Sequence, residues 1–172
     1  MHRRDLPRLL GASALIPFVP DEAGAAVQFG QAAHRAVRAG SLRALSAEEA
    51  RVVTVVADMI IPATDTPGAA DVDVTGFIDH LLADWYAAED RQKLQAGIGR
   101  LVAEGFADLS EDQRIARLTA LDRAKGEPGS PEAAVAKLKS LTVYGYFTSE
   151  RVMKEVTRDP IIPGKFEGCV RF

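Results

Sequence analysis

Between residues 46 and 148 apolar side chains recur at three- and four-residue intervals, and no alternating strand pattern survives anywhere. The spacing predicts helices. Ser46 with Glu49 is a capping box, in which each side chain satisfies the other residue's free backbone N–H. The helix it opens runs through Ile61 and stops before Pro62, whose ring cannot continue it. Its polar stripe is narrow (Arg51, Thr54, Asp58), while Val52, Val53, Val55, Val56, Ala57, Met59, Ile60 and Ile61 cover nearly all the rest. A helix apolar most of the way round is buried, so this one is expected to be the central helix.

Pro62 to Asp73 reads as a loop with a turn at Pro67-Gly68, and Asp73 as the N-cap of a second helix. Val74, Phe77, Ile78, Leu81, Leu82 and Trp85 share one face of that helix. A third helix is expected over about Glu89 to Phe106 on Leu94, Ile98, Leu101 and Val102; Gly97, Gly99 and Gly105 weaken it and permit close helix contact. Ser110 with Gln113 opens a fourth helix on Ile115, Leu118 and Leu121, ending near Gly126. Ser130-Pro131-Glu132 opens a fifth, with proline at the first helical position and Val135, Leu138, Leu141 and Thr142 on one face. Beyond Thr142 the pattern changes. Val143, Tyr144, Tyr146 and Phe147 point in different directions, so that end must be covered on several sides. Short helices at Ala32 to Ala39 and at about Ser149 to Val156 complete an all-α fold of about six helices. An irregular, proline-punctuated C-terminal arm follows.

Composition adds limits. A chain of 172 residues is long enough for one domain with a real core. The 21 basic and 24 acidic residues are well mixed, and no basic patch points to nucleic acid. No apolar run approaches the ~20 residues of a membrane-spanning helix. The single cysteine, Cys169, excludes an internal disulfide and an all-cysteine metal site. It leaves a small buried hydrophobe, a free thiol or an intermolecular disulfide.

The first 25 residues read as a signal peptide: Arg3 and Arg4, an apolar stretch from Leu9 to Val19, then the small-residue pattern Ala23-Gly24-Ala25. The run Arg3-Arg4-Asp5-Leu6-Pro7-Arg8 resembles a twin-arginine box, although His2 replaces the usual Ser or Thr and Pro7 interrupts it. The competing reading is an ordinary amphipathic N-terminal helix. The export reading places the protein in the periplasm, with residues 26–172 as a single helical domain.

Candidate chemistry is sparse. Gly97-Ile98-Gly99 sits inside a helical pattern and lacks the third glycine of a nucleotide loop. His2, His34 and His80 are far apart; His80 with Asp84 reads as a side-by-side polar pair. Asp65, Asp71 and Asp73 lack calcium-loop spacing and read as caps and turn residues. Ser130 and Ser149 read as helix starts. Trp85-Tyr86 and the Tyr144, Tyr146, Phe147 cluster suit either a sugar or flavin platform or, more simply, core and interface. No catalytic, cofactor-binding or metal-ligating residue is assigned, and such a chain reads as a partner rather than an enzyme. The expected interface comprises Tyr144, Tyr146, Phe147, Ile161, Ile162, Phe166, Cys169 and Phe172.

Two stretches carry a family resemblance. Leu45-Ser46-Ala47-Glu48-Glu49, continued by Ala57-Asp58-Met59-Ile60-Ile61-Pro62-Ala63-Thr64-Asp65-Thr66-Pro67-Gly68-Ala69, resembles the opening of the gluconate 2-dehydrogenase subunit 3 family. So does Gly145-Tyr146-Phe147-Thr148-Ser149-Glu150 followed by Pro163-Gly164-Lys165-Phe166-Glu167-Gly168-Cys169. The resemblance runs from about Leu45 to Phe172. It implies a small accessory subunit of a membrane-associated or periplasmic dehydrogenase. The implied catalytic partner is a large flavoprotein of the glucose–methanol–choline oxidoreductase family, holding FAD and oxidising a sugar or sugar acid. A cytochrome c, with its haem, often takes the electrons. The small subunit would help fold, stabilise and export the large one, and would meet a membrane only through the complex. The alternative is a stand-alone periplasmic helical module, an enzyme in its own right or one that docks a sugar on Trp85 and Tyr86.

Overall fold

The computed structural model describes residues 42–158, and these form an all-α bundle without strands. Helix α1 spans Ala47–Ile60, α2 Val74–Asp84, α3 Ala88–Ala103, α4 Glu111–Arg123, α5 Pro131–Thr148 and α6 Glu150–Val152. Short 3-10 turns at Ala70–Val72 and Phe106–Asp108 and a π-helical turn at Met153–Thr157 fill the connections. The expected leader, the expected helix at 32–39 and the tail from 159 onward lie outside the described residues.

The helix starts are set locally. Both capping boxes form, Ser46 with Glu49 and Ser110 with Gln113. Ser130 Oγ accepts from Ala133 N ahead of Pro131, and Ser149 Oγ from Val152 N. Asp73 caps α2 through Gly76 N from a left-handed backbone, φ 52°, a region in which aspartate is enriched among non-glycine residues. The remaining aspartates of this loop also serve turns: Asp71 Oδ2 accepts from Gly68 N and Asp65 Oδ1 from Thr64 Oγ1.

The helices close on one core, with Val53, Val56, Val74, Phe77, Ile78, Leu82, Ile98, Leu101, Phe106, Leu121, Val135 and Leu138 all fully buried. Burying each such side chain contributes about 1.5–3 kcal/mol. Helix α1 packs on α2, α3, α5 and both 3-10 turns, and α5 packs on α1, α2, α3, α4 and α6, so the core forms around these two helices. Two glycines bring the elements close to α5. A Cβ on Gly97 would lie 2.5 Å from the Ser130 carbonyl oxygen and 2.6 Å from Ala134 Cβ, and one on Gly145 would lie 2.6 Å from the Phe77 ring. Gly99, by contrast, has nothing within 4 Å of its Cβ position.

Three expectations are corrected. Helix α3 ends at Ala103, before Phe106, because Gly105 takes φ 68° and turns the chain so that Phe106 enters the core from a separate turn. Trp85 leaves the apolar face of α2: the helix stops at Asp84, and Trp85, as its C-cap, is 56% exposed. On α4 only Leu121 is buried; Ile115 is 50% exposed and Leu118 half-buried, because this helix has α5 as its main neighbour.

Candidate functional site

The C-terminal half of α5 is where the sequence concentrates aromatic residues, and the fold divides them between two tasks. Gly145 lets α5 approach α2, which places the Tyr144 ring edge-on to Phe77 at 5.5 Å and 67°. Tyr146 is turned inward, 4% exposed, and its hydroxyl donates to the Pro67 carbonyl at 2.7 Å. Its ring supports Phe147, edge-on at 5.3 Å and 88°. Phe147 itself faces outward, 50% exposed, and Val143, one turn earlier, is 42% exposed. At (i, i+4) spacing these two share one helix face.

The expected interface therefore resolves into distinct parts. Tyr146 is packed in the chain's own core and Tyr144 is half-buried against Phe77; Phe147 presents an aromatic surface, and Val143 belongs with it. Ile161, Ile162, Phe166, Cys169 and Phe172 lie outside the described residues. The helix ends beneath Phe147 in a set of bonded hydroxyls. Thr148 Oγ1 donates to the Tyr144 carbonyl at 2.8 Å, and Ser149 Oγ to the Tyr146 carbonyl at 2.8 Å. These contacts hold the chain direction where it leaves α5 for α6.

A second polar constellation was not anticipated from the sequence. Asp79, 4% exposed on α2, accepts from three successive backbone N–H groups, those of Arg43, Ala44 and Leu45, at 2.9, 2.9 and 2.8 Å. Successive N–H groups converging on one anion form a nest. From the other side Gln95 Nε2 donates to the Ala44 carbonyl at 2.6 Å. The segment leading into α1 is thus clamped between α2 and α3. Five residues beyond Asp79, Asp84 accepts two hydrogen bonds from the Arg43 guanidinium, 2.6 and 2.8 Å, and lies 3.4 Å from His80 Nδ1. The Arg43 hydrogen bond holds the Asp84 carboxyl below the usual carboxylate range, helped by the guanidinium charge and opposed by partial desolvation. His80 with Asp84 is a polar pair, as expected, within a larger structural cluster.

The Trp85-Tyr86 platform is partly taken. Lys137 Nζ lies over the Tyr86 ring at 5.4 Å, a cation–π contact. The adjoining open groove of about 320 Å³ is lined by Asp90, Lys93, Leu94 and Gly129. Gly97-Ile98-Gly99 lies inside α3, as its helical spacing requires. Among the described residues there is no group of three or more His, Cys, Asp or Glu side chains that could hold a metal ion, and no helix long and apolar enough to cross a membrane.

No curated protein and no solved structure matches the chain. The family model for gluconate 2-dehydrogenase subunit 3 matches residues 47–164, which take in every helix from α1 to α6. With more than half of its length matched, this chain belongs to the gluconate 2-dehydrogenase subunit 3 family.

Proposed function

We propose that this chain is the non-catalytic small subunit of a periplasmic, FAD-dependent sugar or sugar-acid dehydrogenase complex. It would assist the folding, stability and export of the flavoprotein large subunit. Membership of a dehydrogenase subunit family carries the coarser part of this reading. The outward Val143–Phe147 face supports a partner-binding role. An exposed Phe beside a Val at the end of the helix that leads to the tail gives a partner an aromatic anchor, and aromatic anchors dominate interface energetics. The twin-arginine-like leader fits a partner that must acquire FAD before export and so leaves the cytoplasm folded. Binding to the folded form would also stabilise it by mass action. A cytochrome c is the further member expected to accept the electrons.

The test is affinity purification of the tagged chain from its native host, with a visible spectrum of the eluate. The expected result is a yellow one-to-one complex whose larger chain carries flavin. A colourless, solitary monomer would overturn the reading. Phe147→Asp is expected to reduce recovery of the large chain about tenfold or more while leaving the melting temperature of the isolated small subunit unchanged. Truncation after Thr157 is expected to abolish co-purification with helical content retained; a truncated chain that still binds would remove the tail from the interface.

A further inference from the structure

Helix α5 leaves one stripe open along its length. Ala136, Ser140, Val143 and Phe147 are all exposed. They follow one another at intervals of four, three and four residues. At 3.6 residues per turn this puts them within about 60° of one another round the helix. A stripe this narrow, recurring at four and three residues, has the geometry of a coiled-coil seam. Ser140 makes no polar demand on it, because its hydroxyl donates to the Ala136 carbonyl at 3.2 Å. One end of the seam is therefore small, Ala136 and Ser140. The other is large, Val143 and Phe147, and the Phe147 ring is braced edge-on by Tyr146.

The order of sizes names the occupant. Ser140 and Val143 stand equally far from the centre of the stripe, between residues 141 and 142, and so do Ala136 and Phe147. Turned end for end against itself, the stripe sets each large side chain on a small one. We propose that it pairs with the same stripe of a second copy of this chain, α5 antiparallel to α5. Phe147 then lies over the other copy's Ala136, and Val143 over its Ser140. Such a pairing is isologous, as a two-fold dimer requires. A parallel pair would stack Phe147 on Phe147 and leave a gap between the two Ala136 side chains. Charge agrees with the antiparallel sense. Lys137 and Lys139 flank the small end, the first over the Tyr86 ring and the second against Asp122. The last turn of α5 carries no basic residue, so nothing cationic there offsets its carbonyl ends. Antiparallel pairing brings the lysines of each copy towards that turn of the other; parallel pairing would set lysines against lysines. A single seam lies at the low end of interface sizes, so the dimer is weak and exchangeable. The catalytic subunit, expected on the same Val143–Phe147 face, displaces the second copy; only this displacement rests on the accessory-subunit reading.

The test is sedimentation equilibrium of the full-length chain up to millimolar concentration. It compares wild type, Phe147→Ala, Ala136→Phe and the double variant that carries both changes. The expected result is a reversible wild-type dimer, weakened about tenfold or more by either single change, the first leaving a gap and the second a clash. The double variant still sets large on small and is expected to return to within about threefold of wild type, a coupling that two independent sites would not show. A wild type that stays monomeric throughout overturns the proposal. So does a dimer indifferent to the single changes, or a double variant no tighter than either of them, since each puts the contact elsewhere or in the other sense. A lowered melting temperature for Ala136→Phe in dilute solution would put the chain's own residues on the seam and overturn it too. Saturation with the catalytic subunit is then expected to convert the dimer into the one-to-one complex. A complex that keeps two copies joined would overturn the displacement. If no complex forms, the accessory reading falls and the dimer stands.

Discussion

Asp79 is the side chain on which the start of the fold depends. Three backbone N–H groups end on its carboxylate, and hydrogen bonds to charged groups contribute more than neutral ones. Asp79→Ala removes all three acceptors together, and an expected loss of about 3 kcal/mol is measurable by urea denaturation. Thr142 is the opposite case. It is fully buried in α5 and its hydroxyl has no partner among the described residues, so Thr142→Val, which keeps the shape and removes the orphaned group, is expected to stabilise by about 1 kcal/mol. At acid pH the carboxylates decide. Asp84 is held low by Arg43, and Glu89 by Lys93. A carboxyl with a lowered folded pKa binds protons more readily when unfolded. Its stabilisation is therefore fully present above the ordinary carboxylate range, about pH 4, and is lost as pH falls through the folded value. A melting curve against pH is expected to fall below about pH 4, and less steeply for Asp84→Asn, with both effects reduced by salt because these groups lie at the surface.

Helix contact distances give the sharpest prediction about elements. Gly97 and Gly99 lie two residues apart in α3 and look equivalent in sequence. Only Gly97 faces α5, where a methyl group would meet Ser130 and Ala134. Gly97→Ala is expected to cost about 1–3 kcal/mol by overpacking, and Gly99→Ala to gain about 0.4–1 kcal/mol by restricting the unfolded chain. Thermal denaturation of the two variants should move in opposite directions; equal shifts would remove Gly97 from the helix contact. Helix starts were legible because a cap is a bond between residues three apart, as with Ser46 and Glu49 or Ser110 and Gln113. Helix ends were less so. Whether Gly105 sits within α3 or ends it depends on drawing Phe106 into the core, which is a tertiary gain.

For the molecule as a whole, the uncovered apolar face at Val143 and Phe147 matters most, because apolar side chains expected to be enclosed remain there at the surface of the described fold. An isolated subunit with such a face is expected to gain stability from its partner, so the melting temperature of the complex should rise with catalytic-subunit concentration. A melting temperature independent of that concentration would argue that the partner does not bury this face.

The all-α class, the capped helix starts and the family followed from the sequence by itself, because helical periodicity, capping and two local motifs are written in residues near one another in the chain. Tertiary structure alone decided which aromatic residues face outward. Tyr144, Tyr146 and Phe147 are indistinguishable by spacing, and Tyr146 was drawn inward by a carbonyl 79 residues away. It likewise decided that Asp79 would be a buried anchor, since its partners are backbone amides 34 to 36 residues distant and carry no side-chain signature.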